Sequence, residues 1–251
     1  MQSIPANYQP AADLLRDRII LVTGAGDGIG AVAAKTYAAH GATVILLGKT
    51  IPKLEAVYDE IEKAGHAQPA IYPLDLEGAH FEHYLQLADT VDKEFGRLDG
   101  LLHNAAILGD RMMVEQYDLK LWARVLHVNL TAPFMLSRAC IPLLRKSEDA
   151  SVMFTSTGVA QHGSAYWGAY GVSKAGADNL MQIMADELEV NTQIRVNSID
   201  PGIVRTRMRR QAYPAEDASR LPTPESIMPG YLYLMGPDSQ GETGVIFRIR
   251  G

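Results

Sequence analysis

Short apolar runs alternate with helical patterns along almost the whole chain. Residues 18–24, RIILVTG, form an aliphatic and β-branched run that ends in glycine. A continuous run of this kind suits a strand buried on both faces. Helical spacing follows from Ile29 to His40 and stops at Gly41, a residue that accepts the left-handed backbone of a helix C-terminus. The alternation then repeats, with strands at 42–48, 70–75, 98–105, 151–156, 194–200 and 244–249. Helical patterns fall at 52–64, 79–95, 118–145, 166–190 and 224–235, the first two closed by Gly65 and Gly96. Strands that alternate with helices imply βαβ units and a parallel sheet covered on both faces. Right-handed crossovers make that sheet doubly wound. The expected fold is therefore α/β: one domain over 1–251, with a seven-stranded parallel sheet of Rossmann type and helices on both faces. No break in composition and no internal repeat suggests a second domain.

Ligands of such sheets bind beyond the carboxyl ends of the strands. The unusual residues of this chain fall there: the glycines after the first strand, Asp75 after the third, Asn104 after the fourth, Ser156 and Thr157 after the fifth, and Pro201-Gly202 after the sixth. The first strand runs into TGAGDGIG, residues 23–30. Its glycines allow a tight turn and close backbone approach to a pyrophosphate, and the next helix offers free N–H groups to that anion. Gly24, Gly28 and Gly30 fit T-G-x-x-x-G-x-G better than Gly26, Gly28 and Ala31 fit G-x-G-x-x-A. An acid at the end of the second strand would bind the ribose of NAD. This chain has Gly48-Lys49-Thr50 there, and Lys49 suits the 2′-phosphate of NADP. Asp27, inside the turn, would oppose a nearby phosphate. The missing acid is the stronger signal, so NADP(H) is the expected cofactor, with NAD(H) as the alternative.

Tyr170 and Lys174 stand four apart in WGAYGVSKAGA. On a helix they share a face. A cation beside a phenol, whose ordinary pKa is about 10, favours the phenolate and makes a proton-transfer pair. The spacing alone is common in helices, so its weight comes from the other motifs.

Composition narrows the setting. The net charge of −6 argues against nucleic acid as a partner, since phosphate binding needs a basic surface. Cys140 is the only cysteine, set in an apolar helical stretch, and reads as an inert packed thiol. The start of the chain lacks the basic and apolar regions of a leader, and no apolar run approaches the ~18 residues that span a bilayer. The expected location is the cytoplasm, with no membrane partner.

With TGAGDGIG, NAA at 104–106, Asn129, Tyr170, Lys174 and PGIVRT at 201–206 in this order, the chain resembles the short-chain dehydrogenase/reductase family. The resemblance covers the chain from about residue 15, and WGAYGVSK with TPESIMPGYLYLMG is similar to its bacterial YciK-type subgroup. It implies hydride transfer between a nicotinamide and a carbonyl or secondary alcohol. Tyr170 would protonate the developing alkoxide, and Lys174 would lower the Tyr170 pKa and bind the nicotinamide ribose. Asn129 would hold a water linking Lys174 to solvent. Asp75, with Leu76 beside it, would contact the adenine, and Asn104 and Ala105 would lie along the adenosine ribose. Pro201, Gly202, Ile203 and Thr206 would meet the nicotinamide end, while Gly24, Asp27, Gly28, Ile29, Gly30 and Lys49 would border the cofactor at its phosphate end. The family's long helices, here 118–145 and 166–190, imply a homodimer or homotetramer.

The chain departs from the family at three places. The catalytic serine lies thirteen residues before the tyrosine, a position held here by Thr157, with Ser156 one residue further. Thr157 is favoured on spacing, and Ser156 stays open. His103 and Ala106 replace a common asparagine and glycine, and His103 reads as packed beside the sheet. His80 and His83, with Glu82 between them, read as a solvated helix face rather than a metal site. Trp122 and Trp167 read as packing residues, Trp167 near enough to Tyr170 to reach the rim of the site.

The family's substrate lid falls at about 203–223, where Arg205, Arg207, Arg209, Arg210 and Arg220 face only Glu216 and Asp217. Such arginines suit an anionic substrate, or they face water or a neighbouring subunit. A second function, an NADP(H)-binding sensor with little turnover, has no need of an intact Tyr-x-x-x-Lys pair.

Overall fold

The computed structural model describes residues 2–249. Its strands are β1 (Gln2–Ser3), β2 (Ile19–Thr23), β3 (Thr43–Gly48), β4 (Ala70–Pro73), β5 (Gly100–His103), β6 (Ala150–Thr155), β7 (Ile194–Asp200) and β8 (Ile246–Arg248). Its α-helices are α1 (Gly28–Ala39), α2 (Ile51–Lys63), α3 (Phe81–Phe95), α4 (Leu119–Leu126), α5 (Ala132–Leu144), α6 (Gly158–Gln161), α7 (Gly168–Glu189), α8 (Arg207–Ala212) and α9 (Met228–Met235). The strands form one parallel sheet in the order β1-β8-β7-β6-β5-β2-β3-β4.

The apolar runs are continuous because the sheet is covered twice. Successive strand residues point to opposite faces. Leu21, Leu101 and Val152 pack with Tyr84 and Leu87 of α3, Leu136 and Cys140 of α5 and Met181 of α7. Ile20, Val22 and Leu102 pack the other way, with Tyr37 of α1, Leu54 of α2 and Tyr231 of α9. Each fully buried side chain of this size stabilises by roughly 1.5–3 kcal/mol. No helix among the described residues is long and apolar enough to cross a membrane.

The sheet has eight strands, one more than the pattern predicts. The extra strand is β1, two residues that pair with Phe247 and Arg248 at the sheet edge. It is short and polar, so no periodicity marks it. The single helix expected over 118–145 is interrupted: a π-helical turn, His127–Thr131, separates α4 from α5. The helix expected over 224–235 starts as a 3-10 turn, Pro224–Ile227, before α9.

The site is positioned by strand order. From β2 the chain moves to β3 and β4 on one side, then returns to lay β5 on the other. The loops after β2 and β5 therefore diverge and leave a crevice at the carboxyl edge, the switch point of a doubly wound sheet.

Candidate active site

The residues expected at this edge meet around one cavity of about 630 Å³. Gly24, Asp27, Gly28, Ile29, Lys49, Asp75, Leu76, Asn104, Ala105, Ser156, Thr157, Tyr170, Lys174, Pro201, Gly202, Ile203 and Thr206 all line it. Gly30 and Asn129 do not; they brace its wall.

The glycine turn needs its glycines. Gly24 and Gly28 have φ of +68° and +54°, in the left-handed region. A Cβ at Gly30 would collide with the Gly24 carbonyl and lie 2.6 Å from Asn104 Nδ2. The turn is fastened to the loop after β5 by Thr23, whose Oγ1 accepts from the N–H groups of Asn104 at 2.9 Å and Ala105 at 3.0 Å. Asp27 precedes α1 in extended backbone without a side-chain capping bond, so N–H groups of the first turn stay open. Those donors suit an anion.

Asp27 is not a bare charge facing a phosphate, as its position in the turn suggests. Its carboxylate lies 2.5 Å from Lys53 Nζ and 3.5 Å from Arg207 Nε. The Lys53 hydrogen bond, chiefly, holds the Asp27 carboxyl below the usual range. Lys53 also lines the cavity with Lys49. It was legible only as a second lysine one helical turn beyond Lys49. Lys49 itself lies 3.9 Å from the Asp75 carboxylate, both groups half exposed.

Tyr170 and Lys174 lie on α7 as the spacing predicts, but the phenol shifts the other way. Burial first, and then the Asp200 carboxylate, push the Tyr170 hydroxyl well above its ordinary value. Lys174 does not offset this. Its Nζ lies 6.0 Å from the Tyr170 ring centroid and donates to the Thr155 carbonyl at 2.7 Å. Burial pushes the Lys174 ammonium down to about 8, with Asp178 opposing the shift.

Behind the pair stands Asn129, in the π-helical turn. Its Oδ1 accepts from Ile107 N–H at 2.8 Å, and its Nδ2 donates to the Ile107 carbonyl at 2.9 Å and Ser173 Oγ at 3.0 Å. Ser173 in turn donates to the Tyr170 carbonyl at 2.8 Å. The Asn129 carboxamide therefore ties α7 to the loop after β5. Single-turn π bulges of this kind often mark functional positions.

Ser156 and Thr157 separate clearly. Ser156 is buried, and its hydroxyl donates to Asp178 Oδ2 at 2.6 Å. Thr157 starts α6 in extended backbone and faces the cavity, and its side chain caps nothing. Asp178 stands four residues after Lys174, so the Tyr-x-x-x-Lys spacing continued by one turn points to it.

His103 is a packed ring, as expected. It lies 2.8 Å from Ser137 Oγ and 4.5 Å from the Phe154 ring centroid. Burial, then Lys174, push its imidazole down to about 3, so it stays neutral. Cys140 is buried, and burial pushes its thiol up to about 12. His83 Nδ1 accepts from the His80 N–H at the start of α3, at 3.0 Å. Trp122 packs edge-on against Tyr117.

The segment after Pro201 folds over the cavity, and most of its arginines have partners. Arg209 makes two 2.6 Å bonds to Glu216 and stacks 3.8 Å from the Tyr213 ring centroid. Arg220 pairs with Asp217 at 3.2 Å. Arg111, in the loop after β5, lies over both the Trp167 and Tyr213 rings, 4.8 and 4.7 Å from their centroids, and donates to the Ala212 carbonyl at 2.7 Å. This stack holds α8 against the rim of the site beside Tyr170. Sequence reasoning placed Trp167 at that rim but gave no signal for Arg111.

Comparison with known proteins agrees with this geometry. The family model for short chain dehydrogenases matches residues 18–217. The uncharacterized oxidoreductase YciK of Escherichia coli K12 is 49% identical over 241 residues, 96% of this chain and 95% of that protein. A short chain dehydrogenase of Salmonella enterica serovar Typhi superposes with a TM-score of 0.95 at 49% identity, over 97% of this chain and 100% of its own. A chain from Escherichia coli CFT073, crystallised in complex with NADPH, superposes with a TM-score of 0.93 at 48% identity, over 96% of this chain and 100% of its own.

Proposed function

The chain belongs to the short-chain dehydrogenase family, and from this we propose that it is an NADP(H)-dependent oxidoreductase that interconverts a carbonyl and a secondary alcohol. The observation that carries the proposal is the cavity shared by the glycine turn, Lys49 and the Tyr170–Lys174 pair. The glycine turn fits a dinucleotide: its positive φ angles and the crowding at Gly30 leave room only for backbone, which suits close approach of a pyrophosphate. Lys49 and Lys53 would hold the 2′-phosphate. Asp75, Leu76, Asn104 and Ala105 would border the adenosine, and Pro201, Gly202, Ile203 and Thr206 the nicotinamide. When bound, the nicotinamide supplies or accepts the hydride.

In carbonyl reduction Tyr170 Oη gives its proton to the substrate oxygen. A phenol held above its ordinary pKa is protonated at neutral pH, which suits a donor. Lys174, on the same face of α7, is the cation of the site and would hold the nicotinamide ribose. Asn129 holds α7 and the loop after β5 in register, and a water linking Lys174 to solvent would rest against it. Thr157 is the hydroxyl that holds the substrate oxygen, because the Ser156 hydroxyl already donates its one hydrogen bond to Asp178. Replacing Thr157 with Ala is expected to lower kcat about 100-fold, and replacing Ser156 with Ala far less. The reverse order in steady-state kinetics would assign the role to Ser156.

The residues over 203–223 act as a lid. An anionic handle on the substrate has support from Arg207 and Arg209, which line the cavity. Each already has a carboxylate partner, so binding an anion there means an exchange of partners. Phe134 of α5 and Val172 and Ile183 of α7 are exposed, which supports pairing of subunits through these helices into a homodimer or homotetramer. The lone unpaired cysteine suits a reducing compartment such as the cytoplasm. A sensor without turnover is not favoured, since it has no use for the Tyr170–Lys174 pair.

The test is NADPH oxidation across a panel of aldehydes and ketones, with NADH in parallel. A higher kcat/KM with NADPH is expected, and Lys49→Ala should lower the NADPH-to-NADH ratio about tenfold. Equal use of NADH by the unaltered protein would reject the cofactor, and silence across the panel would reject the activity.

A further inference from the structure

Asp178 is a buried carboxylate that the reaction above does not use and that bonds one of its two hydroxyl candidates, Ser156. It lies on α7, is 5% exposed, and stands one helical turn beyond Lys174. A single oxygen, Oδ2, accepts from Ser156 Oγ at 2.6 Å and from Gln161 Nε2 at 2.7 Å. Ser156 precedes Thr157, and Gln161 is the last residue of α6, the helix that Thr157 begins. The carboxylate thus grips the chain on both sides of the threonine that faces the cavity. Oδ1 lies beside the Ser198 hydroxyl, also buried, which helps to hold the carboxyl down.

The charges around Asp178 come from every element packed on it. Lys174 and Tyr170 share its helix. Ser156 ends the β6 side, Gln161 comes from α6, and Ser198 and Asp200 come from β7, with Arg248 of β8 paired to Asp200 at 3.2 Å. Burial, chiefly, raises the Asp178 carboxyl, and the Ser156 hydrogen bond, the Ser198 hydroxyl and Lys174 oppose that. Two donors on one oxygen are what an ionised carboxylate accepts. Lys174 needs such a neighbour: it is buried, and its one protein hydrogen bond is to a neutral carbonyl.

We propose that Asp178 is a positioning residue of this site, which holds the Ser156 and Gln161 side chains on either side of Thr157 and keeps Lys174 as the ammonium. Its first function withdraws Ser156 from the substrate and fixes where the Thr157 hydroxyl points. Its second keeps the one lysine of α7 charged, in a place where burial works to discharge it.

The test separates charge from clamp. Protein labelled with 13Cε-lysine is titrated by NMR without cofactor or substrate, and the Lys174 signal is identified by its loss in Lys174→Arg. Lys174 should titrate near 8 in the unaltered protein. In Asp178→Asn, which keeps an acceptor but no charge, the midpoint should fall by about one pH unit. Asp178→Glu should restore much of it, and Ser156→Ala should leave it in place. The alkaline limb of kcat for carbonyl reduction should move down with the lysine titration, since Lys174 then loses its proton at a lower pH. Asp178→Ala, which removes the clamp as well, should lower kcat further and raise substrate KM.

An unchanged Lys174 midpoint in Asp178→Asn overturns the proposal, as does a glutamate variant that behaves like the asparagine one. If Asp178→Asn does not fold, Asp178→Ser gives the same readings. The kcat arm rests on the oxidoreductase reading and the lysine titration does not. Absence of all turnover would therefore reject that reading and still leave the role of Asp178 decided.

Discussion

Replacing Tyr170 with Phe is expected to lower kcat for carbonyl reduction by about 10²–10⁴-fold while leaving the NADPH dissociation constant unchanged. The ring is retained, so the cavity keeps its shape and Trp167 keeps its neighbour, 5.7 Å away between centroids. What is lost is the phenol proton at the centre of the cavity. His103 cannot replace it, because the ring is buried against Ser137 and Phe154 and neutral at working pH. Ser156 cannot, because its proton is committed to Asp178. Kinetics paired with a fluorescence titration of NADPH separate the two effects. A variant that keeps more than a tenth of the activity would move the proton donor elsewhere, with Thr157 the first residue to examine.

Much of the architecture can be read from the sequence because burial on both faces writes each strand as an unbroken apolar run. IILVT and TVILLG become β2 and β3 almost to the residue. The losses have physical causes. β1 buries no apolar side chain of its own and exists only because β8 offers a free edge. The π turn in the 118–145 stretch adds a single residue to the hydrogen-bonded ring, a change too small for hydrophobic periodicity to register. The functional edge was legible for a different reason: strand ends collect there whatever the details of packing. The partners that tune it come from distant chain segments. Asp27 meets Lys53, Thr23 meets Asn104, and Arg111 meets Trp167 and Tyr213. No local pattern joins such pairs. The sign of the Tyr170 shift was missed for the same reason, since burial and Asp200 reach it through the fold rather than along the helix. Asp178 is the exception, because its spacing from Lys174 was visible and only its partners were not.

The amino end of the sheet carries the second large effect. Asp149, just before β6, accepts from Arg195 Nε at 3.1 Å and Nη2 at 3.0 Å, and its other oxygen pairs with Arg18. Arg195 is 7% exposed and Arg18 14% exposed. Their remaining donors reach carbonyls of Met235, Leu234 and Gly236 at the end of α9. One carboxylate thus bridges two guanidinium groups that lock α9 to β2, β6 and β7. Removing one partner of a buried ion pair costs far more than the pair contributes, because the charge left behind has lost both water and its counter-ion. Asp149→Ala is expected to cost about 3–5 kcal/mol, read as a lower urea midpoint at unchanged m. In a chain of this length that is a fall in Tm of roughly 10 °C. Asp149→Asn keeps an acceptor and should lose less. Because β6 separates Asp149 from Thr157 by about 20 Å of strand, kcat and KM at a temperature where the variant is folded should not change. A loss below about 1 kcal/mol would put this cluster with exposed surface pairs instead. A change in kcat without loss of stability would mean that the two ends of β6 are coupled.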